Sequence, residues 1–205
     1  MENPSKKLSA KGGPYLRVIS GMAKGRHLSA PKGHSTRPTA DRVKEALFSV
    51  LAPYINQSRV LDVFAGTGAL GIEALSRGAI RAVFIEKSRS TCNILEKNLE
   101  ITGLKTSAEN AKVFCADCLK IIPILDEKFD IVFLDPPYNR GYLKKTISLI
   151  LESDILEVDA ILVVEISAKD REDFILPGIE VKKISDYGDT SVVYCRKVEG
   201  SFKRG

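Results

Sequence analysis

Apolar and polar positions change their period twice along this chain. Tyr15 to Ser20 and Arg26 to Ala30 are short strand-like runs, and Gly21 and Gly25 bracket the stretch between them, which predicts a small hairpin. Pro31 to Pro38 follows as a loop. From Thr39 the period lengthens: Val43, Ala46, Leu47, Val50 and Leu51 recur at helical spacing and predict an amphipathic helix that Pro53 ends. Beyond it, apolar runs at Val60 to Phe64, Ala82 to Ile85, Lys112 to Cys115, Phe129 to Leu134 and Ala160 to Ile166 predict five strands. Helices are predicted between them: Ala69 to Arg77, a segment that Ser88 can cap, a short helix broken near Pro123, and Tyr142 to Leu151. Near-continuous apolar strands separated by helices make a parallel sheet covered on both faces, an α/β fold. The end differs. Ile179 to Ile184 and Ser191 to Arg196 flank Asp186-Tyr187-Gly188-Asp189, which predicts an antiparallel hairpin.

Length and composition bound this picture. The chain's 205 residues suffice for one substantial core, expected over 39–197, with 15–38 as a hairpin and loop and with tails at 1–14 and 198–205. No apolar run approaches the ~20 residues of a membrane span, and the polar, basic start lacks the apolar centre of a secretory signal. Four cysteines are too few for a disulfide scaffold, so a reducing cytoplasm is the expected setting. Cys115 and Cys118 form one C-x-x-C, but the only histidines, His27 and His34, lie far off, so no metal site is expected and a strand end followed by a turn accounts for the pair. Charge is unevenly spread. Residues 1–44 hold ten Lys or Arg against Glu2 and Asp41, a net +8 that leaves −3 for the remainder. A basic segment on a near-neutral domain implies a polyanionic partner, because cationic side chains displace counterions from phosphates.

The candidate chemistry begins at Asp62-Val63-Phe64-Ala65-Gly66-Thr67-Gly68-Ala69-Leu70-Gly71, which runs from a predicted strand into a helix. It holds G-x-G-x-x-G at Gly66, Gly68 and Gly71, and Glu86 follows at the end of the next strand, where an acid can accept hydrogen bonds from ribose hydroxyls. Dinucleotide sites share this layout. Three observations favour S-adenosylmethionine instead. Asp62 would face a pyrophosphate, and two like charges ~5 Å apart at an effective dielectric of ~20 repel by about 3 kcal/mol, whereas an ammonium and a sulfonium are attracted. Asp117 follows the third strand, where it can accept from an adenine amine. The C-terminal antiparallel hairpin is foreign to the usual dinucleotide sheet.

The sharpest motif is Asp135-Pro136-Pro137-Tyr138, directly after the fourth predicted strand. Strand ends near the point where strand order reverses line the ligand crevice of an open α/β sheet, which brings the tetrapeptide beside the glycine loop. An exocyclic base amine is a poor nucleophile because its lone pair is delocalised into the ring. A carboxylate and a backbone carbonyl accepting its two N–H groups bias the nitrogen toward tetrahedral geometry and stabilise the developing positive charge. Asp135 and the Pro136 carbonyl can supply those acceptors, the prolines stiffen the loop, and the Tyr138 ring can stack on an extruded base, worth ~1–3 kcal/mol.

These residues resemble the class I amino-methyltransferases. The flanks Arg17-Val18-Ile19-Ser20-Gly21, Lys24-Gly25-Arg26, Arg37-Pro38-Thr39, Asp41-Arg42-Val43-Lys44-Glu45, Gly71 to Gly78 and Asn139-Arg140-Gly141 narrow the resemblance to the bacterial 16S ribosomal-RNA guanine-N2 methyltransferases, over roughly residues 15–197. The resemblance implies a Rossmann-like sheet of seven strands with the last inserted antiparallel. It implies a cofactor held by Asp62, Phe64, Ala65, Gly66, Thr67, Gly68, Glu86, Lys87, Asp117, Cys118 and Asp135, and a target amine held by Asp135 to Tyr138. RNA phosphates would be gripped by Arg17, Lys24, Arg26, Arg37, Thr39, Arg42 and Arg140 on a monomeric protein acting on the small ribosomal subunit or its assembly intermediate. Two other readings use the same residues. A DNA adenine-N6 methyltransferase presents the same amine chemistry, but 205 residues leave little room for a target-reading domain; a noncatalytic RNA-binding module needs neither Asp135 nor the glycine loop.

Overall fold

A computed structural model describes residues 16–31, 38–107, 109–136, 140–171, 174 and 176–198, with only the backbone described at 38–40 and 140. The expected tails lie outside these residues. The expected helix is α1 (Pro38–Ile55), and alternation then sets in as β1 (Arg59–Asp62), α2 (Ala69–Ser76), β2 (Arg81–Glu86), α3 (Arg89–Thr102), β3 (Ala111–Cys115), α4 (Cys118–Ile121), β4 (Phe129–Leu134), α5 (Arg140–Glu152) and β5 (Leu156–Ser167). A hairpin of β6 (Ile179–Tyr187) and β7 (Thr190–Lys197) closes the fold. Seven strands form one sheet in the order β3-β2-β1-β4-β5-β7-β6. The first five are parallel, and β7 is wedged antiparallel between β5 and β6.

Strand alternation divides the core into two faces. Val60, Ile131, Phe133, Ile161, Val163, Val192 and Tyr194 pack under Leu47, Phe48, Leu51 and Ile55 of α1, while Ala82 and Phe84 pack under α2 and α3. The alternate residues Leu61, Val83, Val132, Leu162 and Val193 pack against α4 and α5. Ser88 caps α3 as its sequence position suggests, its hydroxyl accepting from the Thr91 N–H.

Three local departures have physical causes. The N-terminal hairpin has a single bridge, Arg17 to His27, rather than two strands, because the next donors along, Ile19 N–H and Ser20 N–H, bond to the Glu73 carboxylate and not to a partner strand. Pro53 sits inside the last turn of α1 and does not end it; the Ser49 carbonyl that loses its partner faces the exposed side. β5 starts four residues before Ala160: Leu156 opposes Phe129 and Ile161 opposes Ile131, so the exposed Glu157 to Asp159 bulge from the ladder, with Asp159 at φ 69°.

The basic segment is part of the core. Val18, Ala23 and Leu28 are buried with Ile72, Leu75, Leu95 and Leu99, so residues 16–31 form a strap across α2 and α3. No helix among the described residues is long and apolar enough to cross a membrane.

Candidate active site

Strand order reverses between β1 and β4: the chain steps outward through β2 and β3 on one side and through β5 on the other. The loops leaving the carboxyl ends of β1 and β4 therefore diverge and leave a crevice, and the two motifs singled out in the sequence flank it. After β1 the backbone turns sharply, with Gly66 at φ 53° and Gly68 at φ 83°, values that suit glycine. Gly71 lets α2 settle on the sheet, since a Cβ there would meet the Phe84 ring at 2.2 Å.

Asp62 is only 3% exposed, and its Oδ2 accepts from the Gly71 N–H at 3.0 Å, tying the strand end to the start of α2. Burial, with Asp135 and Glu86 adding repulsion, pushes its carboxyl up to about 7 against that single hydrogen bond. Glu86 is braced from both sides: Oε2 accepts from the Gly66 N–H at 3.0 Å and Oε1 from the Ser88 N–H at 2.6 Å, which fixes the carboxylate at the mouth of the glycine loop. Phe64 lies half buried beside the Tyr142 ring, with centroids 5.9 Å apart, and Ala65 is buried; Thr67 is half buried.

Beyond β3, Asp117 caps α4 by accepting from the Leu119 N–H at 3.0 Å. It also accepts from the Tyr142 hydroxyl at 2.5 Å and from the exposed Lys87 ammonium at 2.9 Å, and these donors hold its carboxyl down at about 2. An adenine amine at this position would therefore share Asp117 with Lys87. Tyr142 was not singled out in the sequence, because helical spacing alone marks it as another apolar position of α5. The C-x-x-C pair diverges. Cys118 is buried, with Sγ 3.7 Å from the Tyr142 hydroxyl and 3.8 Å from the Thr146 hydroxyl, whereas Cys115 interacts with Cys92 of α3. Cys118 thus offers the crevice no side chain.

Asp135 follows β4 directly. Its surface is open to solvent, but protein surrounds it on the crevice floor, and the partial loss of hydration pushes its carboxyl up to about 6. Pro136 is half buried; Pro137, Tyr138 and Arg37 lie outside the described residues, as do the side chains of Thr39 and Arg140. Glu165, near the end of β5, stands next to Asp135, and burial with the Asp135 charge raises its carboxyl to about 7.

The basic strap is held by polar groups that local sequence patterns do not reveal. Glu73, 0% exposed, accepts from Ile19 N–H at 2.7 Å, Ser20 N–H at 2.9 Å and Arg77 Nε at 2.8 Å, and pairs with Lys44 Nζ at 3.4 Å. Lys44, itself 5% exposed, also donates to the Arg17 carbonyl at 2.5 Å. Ser76 accepts from Ala23 N–H and donates to the Ser20 carbonyl. Buried Asn98 accepts from Ser29 N–H at 2.7 Å and donates to the carbonyls of Ser29 and Thr67, at 3.0 and 2.9 Å. Arg17, Lys24, Arg26 and Arg42 are left on the outside, Arg17 in an ion pair with Asp41 at 3.1 Å.

Comparison with known proteins agrees with this geometry. Residues 16–196 match the family model described as conserved hypothetical protein 95. The chain is 44% identical over 159 residues to the ribosomal RNA small subunit methyltransferase D of Haemophilus influenzae, covering 77% of this chain and 80% of that protein. A Bacillus subtilis relative named as a candidate rRNA methyltransferase is 37% identical over 182 residues, 89% of this chain and 99% of its own length. A solved Escherichia coli structure, named as a candidate methyltransferase, superposes with a TM-score of 0.77 at 34% identity, covering 90% of this chain and 99% of that one. With its sheet, glycine loop and strand-end carboxylates in this arrangement, the chain belongs to the family described as conserved hypothetical protein 95, alongside proteins named ribosomal RNA small subunit methyltransferase D.

Proposed function

We propose that this protein transfers a methyl group from S-adenosylmethionine to the exocyclic N2 of a guanine in 16S ribosomal RNA. The observation that carries the reading is the electrostatics of the crevice. Asp62, Asp135 and Glu165 stand near the ends of adjacent strands β1, β4 and β5, and all three hold their protons more tightly than ordinary carboxyls. Such a site repels a pyrophosphate and favours a cation, which fits a donor carrying an ammonium and a sulfonium.

The residues present fit that donor. Glu86, braced by the Gly66 and Ser88 amides, keeps lone pairs for ribose hydroxyls, and the glycine loop offers backbone close to the nucleoside. Phe64 and Lys87 with Asp117 wall the adenine side. When bound, the sulfonium supplies an electrophilic methyl and a neutral thioether leaving group. Asp135 and the Pro136 carbonyl accept from the two N–H groups of the target amine, so that its lone pair turns toward the methyl as the N–C bond forms and the S–C bond breaks. The surplus proton on N2 passes to Asp135 and from there to water. The exposed cations of the strap and α1 supply the phosphate contacts, which supports an RNA substrate.

Tritiated methyl transfer to small ribosomal subunits from cells lacking this protein, followed by mapping of the labelled base, tests the assignment. Label on a guanine N2 is the expected result. Label on adenine N6, or on none of the RNA, overturns it.

A further inference from the structure

We propose that Glu165 is the specificity residue of this site: it accepts a hydrogen bond from the guanine N1–H and so selects guanine over bases that lack that proton. The inference rests on the reading above and names what reads the base.

The argument begins with register. β4 and β5 run parallel with Leu134 opposite Val164, so the next positions along, Asp135 and Glu165, are lateral neighbours. Adjacent strands lie about 4.8 Å apart, and alternation sends Glu165 to the same face as Val163 and Ile161, the face on which Asp135 follows Phe133. The two carboxylates therefore project side by side, close enough for the Asp135 charge to raise the Glu165 carboxyl.

Neither carboxylate has a hydrogen-bond donor or an ion-pair partner among the described residues. For the half-buried Glu165 that is unusual, since proteins pair or hydrate such acids. Glu73, under the strap of the same protein, has three hydrogen bonds and two cationic partners. A pair of acceptors left without donors matches a ligand edge that carries donors in a row. Guanine has such an edge: its N2 amine and the adjacent N1–H point the same way in the ring plane. With Asp135 on the amine, the neighbouring carboxylate falls beside N1. Adenine carries a lone pair on its ring N1 and would set it against Glu165, and a site built to bond an N–H rejects an analogue without it because its own buried group stays unpaired.

The test removes the interaction from either side. Small subunits are reconstituted with guanine or 2-aminopurine at the mapped position; 2-aminopurine keeps the N2 amine but has no proton on N1. For the wild type, kcat/KM is expected to fall on the order of 100-fold from guanine to 2-aminopurine. Glu165→Met, which has no oxygen to accept the N1–H, should lose a similar factor on guanine and lose almost nothing more on 2-aminopurine, while Glu165→Asp keeps part of the guanine preference. The chemical-denaturation midpoint, measured on the same preparations, should stay at or above the wild-type value and shows that each variant is folded. Additive losses, with Glu165→Met retaining the wild-type preference, overturn the proposal alone. A wild type that methylates no guanine overturns the underlying reading together with it.

Discussion

Two sets of acids are withdrawn from water in this protein, and they are treated in opposite ways. Under the N-terminal strap, Glu73 is fully buried and saturated: two backbone amides, Arg77 and Lys44 surround it. In the crevice, Asp62 has one hydrogen bond, Asp135 and Glu165 have none among the described residues, and all three are pushed upward, to about 7, 6 and 7. Acids buried for architecture are satisfied by the chain itself. The crevice acids keep lone pairs unspent among the described residues, at a cost in stability that the proposed cationic donor and N–H-bearing base would relieve.

The largest effect should come from the crevice. Asp135→Ala is expected to lower methyl transfer by about 10²–10³-fold or more, with a much smaller loss of donor affinity by calorimetry because Asp62 and Glu165 remain; a variant of equal activity would remove Asp135 from the mechanism. Glu73→Ala should instead cost stability, roughly 3–5 kcal/mol, because Lys44 and Arg77 then lose their buried partner. Chemical denaturation measures this, and a midpoint close to wild type would show that Glu73 does not hold the strap.

Smaller effects sharpen the contrast. The Asp62 carboxyl is near 4 when unfolded and about 7 when folded, so the folded state binds its proton more tightly. Its stabilising contribution is complete below pH 4 and is lost as pH rises through 7. Asp62→Asn lacks this slope and should melt higher than wild type at pH 8 but not at pH 4, while binding the donor less well. Parallel melting curves at both values would mean that Asp62 is not strained. For transfer itself the sign is reversed: Asp135 and Glu165 must be ionised to accept, so the rate should rise with pH through about 6–7, a rise that Glu165→Gln narrows. The mildest change is Lys24→Glu with Arg26→Glu, which should weaken RNA binding and flatten its log–log salt slope by about 1–2. A salt titration superimposable on wild type would free the strap of its phosphate role.

The sequence revealed the crevice better than the strap, for a physical reason. Strand order and the positions of Asp62, Glu86 and Asp135 follow from short-range patterns, apolar runs ending in glycine or acid, and β4 falls at Phe129–Leu134 as its apolar run predicts. Glu73, Ser76 and Asn98 looked like ordinary helical positions, since their partners on the strap lie more than fifty residues away. Glu165 had a place at a strand end but no reason to matter until the β4–β5 register set it beside Asp135. Pro53 and the bulge of β5 were misjudged because helix and strand propensities yield where the solvent side tolerates an unpaired carbonyl or an extra loop.

Asn98 carries a consequence for anyone who would re-engineer this molecule. One amide side chain is shared by Ser29 and Thr67, so the basic leader and the glycine turn after β1 are fastened to the same rivet. The leader is therefore not a detachable arm. A trimmed version starting near residue 38 would lay bare an apolar furrow over α2 and α3 and loosen the turn at Thr67, and transplanting the leader onto another scaffold would require moving its sockets as well.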